Sequence, residues 1–187
     1  GECPICCLPL PLDDKKSGMM ACCCKRICIG CDYANQRREA EEGLEHKCAY
    51  CREPVPKTDE GVHQNLVKRV KANDPVAIFK MGKKCYDEGN YEGAVKDYKK
   101  AAALGIADAH FNLSCMYHEG GGVEKDTKKE GYHLEIAAIG GHPMERHNLG
   151  CYEGENGRVD RATKHWIIAA KQGHDGALEA VKLGFAH

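Results

Sequence analysis

Ten of the thirteen cysteines in this 187-residue chain fall within residues 1–51, and no other feature narrows its folding options as far. Two C-x-x-C pairs, Cys3/Cys6 and Cys48/Cys51, bracket the run ACCCKRICIGC, which carries Cys22, Cys23, Cys24, Cys28 and Cys31. Soft thiolates at this spacing suit tetrahedral zinc, and about eight of them can hold two ions. So short a segment buries too little apolar surface to fold unaided, so metal would supply its folding energy. The rival reading, a disulfide scaffold, fits poorly. Cys85, Cys115 and Cys151 sit singly in helical patterns, where a thiol behaves as a small buried hydrophobe. Zinc thiolates in turn imply a reducing location, cytosol or nucleus.

Charge limits the partners. The formal net charge is −1, and residues 1–74 hold twelve basic and twelve acidic side chains. The cysteine-rich segment therefore lacks the positive field that a phosphate backbone requires, so no nucleic-acid partner is expected. No run of about 18 apolar residues occurs, so no membrane-spanning helix is expected. The chain begins at Gly1 without Met, which leaves room for a removed leader or a longer parent protein.

Three segments follow from composition: a zinc module over 1–56, a linker helix over 57–74 and helical repeats over 75–187. LPLPLDDKKSG reads as a loop, and DYANQRREAEEGLEH as a short exposed helix of alternating charge. Thr58 or Asp59 can cap the linker helix, which stacks Val62, Leu66 and Val70. Asp74 and Pro75 then suit an N-cap and a first helical position.

From there the chain repeats. The pairs Ala101/Ala102, Ala137/Ala138 and Ala169/Ala170 are each followed by a glycine, at Gly105, Gly141 and Gly173, spaced 36 and 32 residues apart. FKMGKKCYDEG, FNLSCMYHEG and HNLGCYEGENG recur upstream of those pairs. Periods of this size mean stacked helical hairpins. Gly82, Ser114 and Gly150 let two helices approach closely, and the three later glycines suit left-handed C-caps. Tyr98, Leu134 and Trp166 share one aligned position and read as a packing layer, with Met81, Leu113 and Leu149 in the same core. Asp175 can cap the helix after Gly173, and Pro143 can occupy the first turn of another. These residues resemble the Sel-one-like repeat, a relative of the tetratricopeptide repeat. Ser114, Glu130 and Glu145 depart from its small-residue pattern, and repeat two carries four extra residues around GGGVEKD. A fourth repeat stops after one helix, at His187, which reads as a capping helix or a truncated chain.

The cysteine order is similar to a RING finger, carried by CPIC, ICIGC and CAYCREP. The expected fold class is therefore a small zinc-stapled α+β RING-like module followed by an all-α repeat solenoid. The resemblance implies a cross-brace: Cys3, Cys6, Cys28 and Cys31 on one zinc ion, and Cys48 and Cys51 with two of Cys22, Cys23 and Cys24 on the other. Cys22 with Cys23 is the preferred pair and Cys22 with Cys24 the alternative. Lys25 stands where a common RING has histidine, so an all-cysteine variant is expected. His46 is a possible substitute ligand, and Cys7 a spare thiol.

The resemblance further implies a ubiquitin ligase, which positions a charged ubiquitin-conjugating enzyme without a covalent intermediate of its own. Ile5 matches the apolar docking residue, Arg52 the linchpin that bridges enzyme and ubiquitin, and Pro54 the loop bordering the docking groove. Ala49 replaces a usual proline, and Tyr33 lies one place later than the usual aromatic. In the ligase reading, the repeats recruit protein substrates or partners. In the alternative, the chain is a non-catalytic adaptor or scaffold with a structural zinc module. A small-molecule enzyme has little support, because the histidines are scattered and no carboxylate pair or phosphate loop occurs.

Overall fold

The computed structural model describes residues 1–11, 14–140 and 143–184. Gly141 and the chain end at His187 lie outside the described residues. The chain divides into two compact units, residues 1–77 and 78–187. Among the described residues, no helix is long and apolar enough to cross a membrane.

The first unit is small and irregular. Strand β1 (Ser17–Met19) pairs antiparallel with β2 (Arg26–Cys28), setting Gly18 opposite the fully buried Ile27. Helix α1 (Ile29–Glu41) follows at once. It starts earlier than its charge pattern suggests, because the Cys28 sulfur accepts from the Cys31 amide at 3.4 Å and so acts as the N-cap. Helix α2 (Asp59–Lys71) is capped by Thr58, whose Oγ1 accepts from the Gly61 amide at 3.2 Å. Acids in its first turn and bases in its last complement the helix dipole. Asp74 Oδ1 accepts from the amides of Val76 and Ala77 at 3.0 and 3.1 Å, and Pro75 opens α3 (Pro75–Asp87) where its missing N–H costs nothing.

The second unit is an all-helical repeat solenoid. Its later helices are α4 (Tyr91–Ala103), α5 (Ala107–Glu119), α6 (Thr127–Ile139), α7 (Pro143–Glu155), α8 (Val159–Lys171) and α9 (Asp175–Gly184). From α4 onward each packs on the next. Small residues set the spacing. Ala101, Ala102, Ala137, Ala138 and Ala169 are buried. A Cβ at Gly82 would meet the Tyr98 ring at 2.9 Å, and one at Gly150 would meet Trp166 at 2.5 Å. Glycine and aromatic are thus two halves of one contact. Repeat two pairs a smaller Leu134 with the larger Ser114 at the same positions, and both are buried. Gly105 and Gly173 take φ of +88° beyond their helices, as a left-handed C-cap requires. One expected cap differs: Asp175 is the first residue of α9, and the preceding His174 caps it, its Nδ1 accepting from the Ala177 amide at 3.0 Å.

Two histidines meet inside this stack. His110 Nδ1 of α5 lies 2.9 Å from His133 Nδ1 of α6. One must donate and the other accept, so a second proton breaks the pair. Tyr117 stacks on His133, and the ammoniums of Lys99 and Lys129 lie over the Tyr117 ring. Burial lowers His133 to about 4, aided by His110 and Lys99, and burial also lowers His110. A histidine held below its ordinary 6.5 contributes stability above that pH and loses it as pH falls toward 4. With partial exposure allowed for, the repeats are expected to lose about 1–2 kcal/mol over that window. Chemical denaturation at pH 7 and pH 4.5 measures this, with His133→Gln removing most of the difference.

Candidate metal centres

Three tight turns of the same backbone shape position the cysteines. In the first, the Cys7 amide donates to the Cys3 carbonyl and the Cys3 amide to the Leu8 carbonyl. In the second, Cys24 donates to Met20 and Met20 to Lys25. In the third, Arg52 donates to Cys48 and Cys48 to Glu53. The fifth residue of each turn has a positive φ: 57° at Cys7, 53° at Cys24 and 63° at Arg52. That conformation is disfavoured for residues with a Cβ, and a turn wrapped on a metal is one setting that sustains it.

The turns, with the start of α1, gather eight sulfurs into two groups. Cys3, Cys6, Cys28 and Cys31 form one, and Cys22, Cys23, Cys48 and Cys51 the other. Within each group all sulfurs lie within 4.8 Å of one another. Cys6 and Cys28 are 3.8 Å apart, Cys23 and Cys48 3.9 Å, and Cys22 and Cys51 3.3 Å. Four sulfurs about 2.3 Å from one tetrahedral ion stand roughly 3.8 Å apart, whereas a disulfide needs about 2.05 Å. All thirteen cysteines are free thiols. Both groups could hold a metal ion, and an all-sulfur tetrahedral donor set selects a soft or borderline one.

Electrostatics within the groups points the same way. Burial pushes Cys31 up to about 12 and Cys23 up to about 11, each with neighbouring thiols adding to the rise. Burial also raises Cys3, but the amides of Cys28, Cys6 and Ile5 more than offset it, leaving Cys3 at about 6. Four thiolates cannot share one small space without a cation, and a bound cation inverts that preference.

The residues around the groups settle several smaller points. Cys7 is exposed and Cys24 is buried, and neither belongs to a group. Cys24 instead lies beside the guanidinium of Arg69, which also pairs with Asp74. His46 turns away to Glu39, its Nδ1 2.9 Å from Oε2. A cavity of about 540 Å³ borders the second group, walled by Cys22, Cys51 and Pro54 and by Gln64 and Lys68 of α2. Ile5 is 41 % exposed, and Pro54 is exposed beside the Lys47 bridge. Arg52 is half-exposed, but its guanidinium donates to Asn35 Oδ1 at 2.7 Å and lies 3.6 Å from Glu39.

Glu39 and Asn35 carry no obvious signal in the sequence. Glu39 is 2 % exposed although it sits in a highly charged helix. Its carboxylate accepts from the Lys47 amide, and Asn35 Nδ2 donates to the Lys47 carbonyl at 2.9 Å. One turn apart on α1, the two residues clamp the Lys47 backbone that leads into Cys48. The His46 hydrogen bond and the Lys47 amide hold the Glu39 carboxyl below its ordinary range, against the opposing effect of burial.

Comparison with known proteins bears on the second unit. The Sel1 repeat family model matches residues 75–105, 107–142 and 146–174, just over half the chain. The putative beta-lactamase HcpC of Helicobacter pylori is 39 % identical over 56 residues, which cover 30 % of this chain and 19 % of that protein. The match thus spans about a fifth of that relative's length. The crystal structure of a Sel1 repeat protein from Oxalobacter formigenes superposes with a TM-score of 0.58 at 26 % identity, covering 64 % of this chain and 96 % of that one. The crystal structure of MamA shares the fold, with a TM-score of 0.51 at 21 % identity over 68 % of this chain and 77 % of that one. With the helical hairpins, the buried alanine pairs and three matched repeats in agreement, this chain belongs to the Sel1 repeat family.

Proposed function

We propose that this chain is a protein-binding adaptor. Two zinc ions, one in each four-cysteine group, hold residues 1–56 in a RING-like fold, and the repeats over 75–187 bind protein partners. The observation that carries this reading is the run of Sel1 repeats, an architecture in which stacked hairpins present continuous surface to a partner. The two interleaved sulfur groups support the zinc assignment, because a closed all-thiolate site is a structural zinc site. Selection of a random displayed peptide library on the zinc-loaded chain tests it. Enriched peptides should compete with one another and slow amide hydrogen exchange within α3–α9. Failure to enrich any peptide beyond an unrelated helical-repeat control would count against the adaptor.

A second reading is favoured by particular residues. The interleaved cysteine groups and the exposed Ile5 and Pro54 suit a RING-type ubiquitin ligase that docks a conjugating enzyme. The ties from Arg52 to Asn35 and Glu39 weigh against it, because a linchpin must turn outward to bridge two partners. Ubiquitin-chain formation across a broad panel of conjugating enzymes separates the two readings. A ligase would make chains with wild type and lose at least about tenfold in rate with Arg52→Ala, in line with loss of a charge-assisted contact. An adaptor would make none.

A further inference from the structure

A cavity of about 300 Å³ opens between α5, α6 and α7. Its apolar floor includes Phe111 and Leu134, which belong to the core shared with Leu149 and Tyr152. Its other walls carry three carboxylates, Glu119, Glu130 and Glu155, beside His118, Asn148 and two cysteines, and no lysine or arginine.

The three acids are not equivalent. Glu130 lies in the first turn of α6, where the helix dipole favours a carboxylate. Its side chain is only 10 % exposed. One oxygen faces His118 Nδ1 at 3.0 Å, and the other has no hydrogen-bond donor among the described residues. That second oxygen is not sealed in the core and stays open to a donor from outside the fold. Glu119 and Glu155 are the last residues of α5 and α7, where free carbonyls make negative charge unfavourable. Neither has an ion-pair partner among the described residues. Their field is visible on nearby groups. Glu119 raises Tyr86, and Glu119 and Glu130 add to the burial that raises Cys115.

We infer that this cavity receives a basic side chain, arginine or lysine, from an extended segment of a protein partner. The inference rests on the adaptor reading and names the chemistry of its partner. The aliphatic stem would lie on Phe111 and Leu134, and the cationic head would complete Glu130 while neutralising Glu119 and Glu155. One cation there offsets the charge of three carboxylates, which an apolar or acidic side chain cannot do.

The test is a titration of the isotope-labelled, zinc-loaded chain, followed by amide chemical shifts. The probe is the blocked pentapeptide Ala-Ala-Arg-Ala-Ala, set against forms with citrulline, phenylalanine or glutamate at the centre. The arginine peptide should shift amides of α5–α7 around the cavity and bind about tenfold more tightly than the citrulline peptide, the size of one good charge-assisted contact. The double variant Glu119→Gln/Glu155→Gln, at exposed helix ends, should keep its spectrum and lose that preference. Equal binding of arginine and citrulline, or shifts that map elsewhere, would overturn the inference. A preference for the phenylalanine peptide at the same place would also overturn it while leaving the adaptor intact. Failure of every peptide here overturns the cavity assignment alone, since the display selection judges the adaptor separately.

Discussion

Stripping metal with a strong chelator is expected to unfold residues 1–56 and to leave α4–α9 folded. The first unit has little else to hold it. Among the described residues of 1–56, Ile27 is the one fully buried aliphatic side chain, and the sheet is two strands of three residues. Structural zinc contributes roughly 10–16 kcal/mol per site in small domains, far more than so small a core supplies. The repeats bury a core of their own, with Ile78, Leu113, Met116 and Leu149, and none of their residues belongs to either sulfur group, so their stability does not depend on metal. Amide spectra before and after chelation measure both effects. Resonances of 1–56 should collapse toward unfolded positions, while those of α4–α9 stay in place and return unchanged when zinc is restored. Loss of both sets together would mean that the boundary is drawn wrongly.

The second large effect is a pair of opposite outcomes one turn apart on α7. Gly150→Ala places a methyl 2.5 Å from the Trp166 indole, so the ring or the helix must shift. Overpacking of this kind costs about 1–3 kcal/mol. Gly154→Ala places its methyl 3.6 Å from the same ring, in ordinary contact, and gains up to about 1 kcal/mol of helix propensity. Chemical denaturation of the zinc-loaded variants compares them directly. If both substitutions moved stability in the same direction, the glycine–aromatic contact would not be what spaces α7 from α8.

Which parts of this architecture can be read from the sequence follows from how local each determinant is. The repeats are legible because the alanine pairs and their glycines recur in phase. The helix ends are less so: a cysteine sulfur caps α1 and a histidine nitrogen caps α9, and neither is an ordinary capping residue. The eight grouped sulfurs follow from C-x-x-C spacing except around Cys22–Cys24. There Met20 occupies the place that Cys3 and Cys48 hold in the other two turns, so spacing alone leaves three candidates. Backbone conformation separates them, with Cys24 in the positive-φ place of Cys7 and Arg52 and outside the second group. Glu39 looks like one more charge on a solvated helix, because its partners His46 and Lys47 arrive from beyond the helix. The acidic cavity is invisible for the same reason: Glu119, Glu130 and Glu155 come from three separate helices and meet only in the fold.

X-ray absorption at the zinc edge, with metal content measured on the same protein purified without added zinc, tests the central claim most directly. The account predicts two zinc ions per chain, each ringed by four sulfurs at about 2.3 Å with no nitrogen or oxygen in the shell. Protein that carries no zinc, or whose cysteines in residues 1–51 are joined to one another as disulfides, would contradict it.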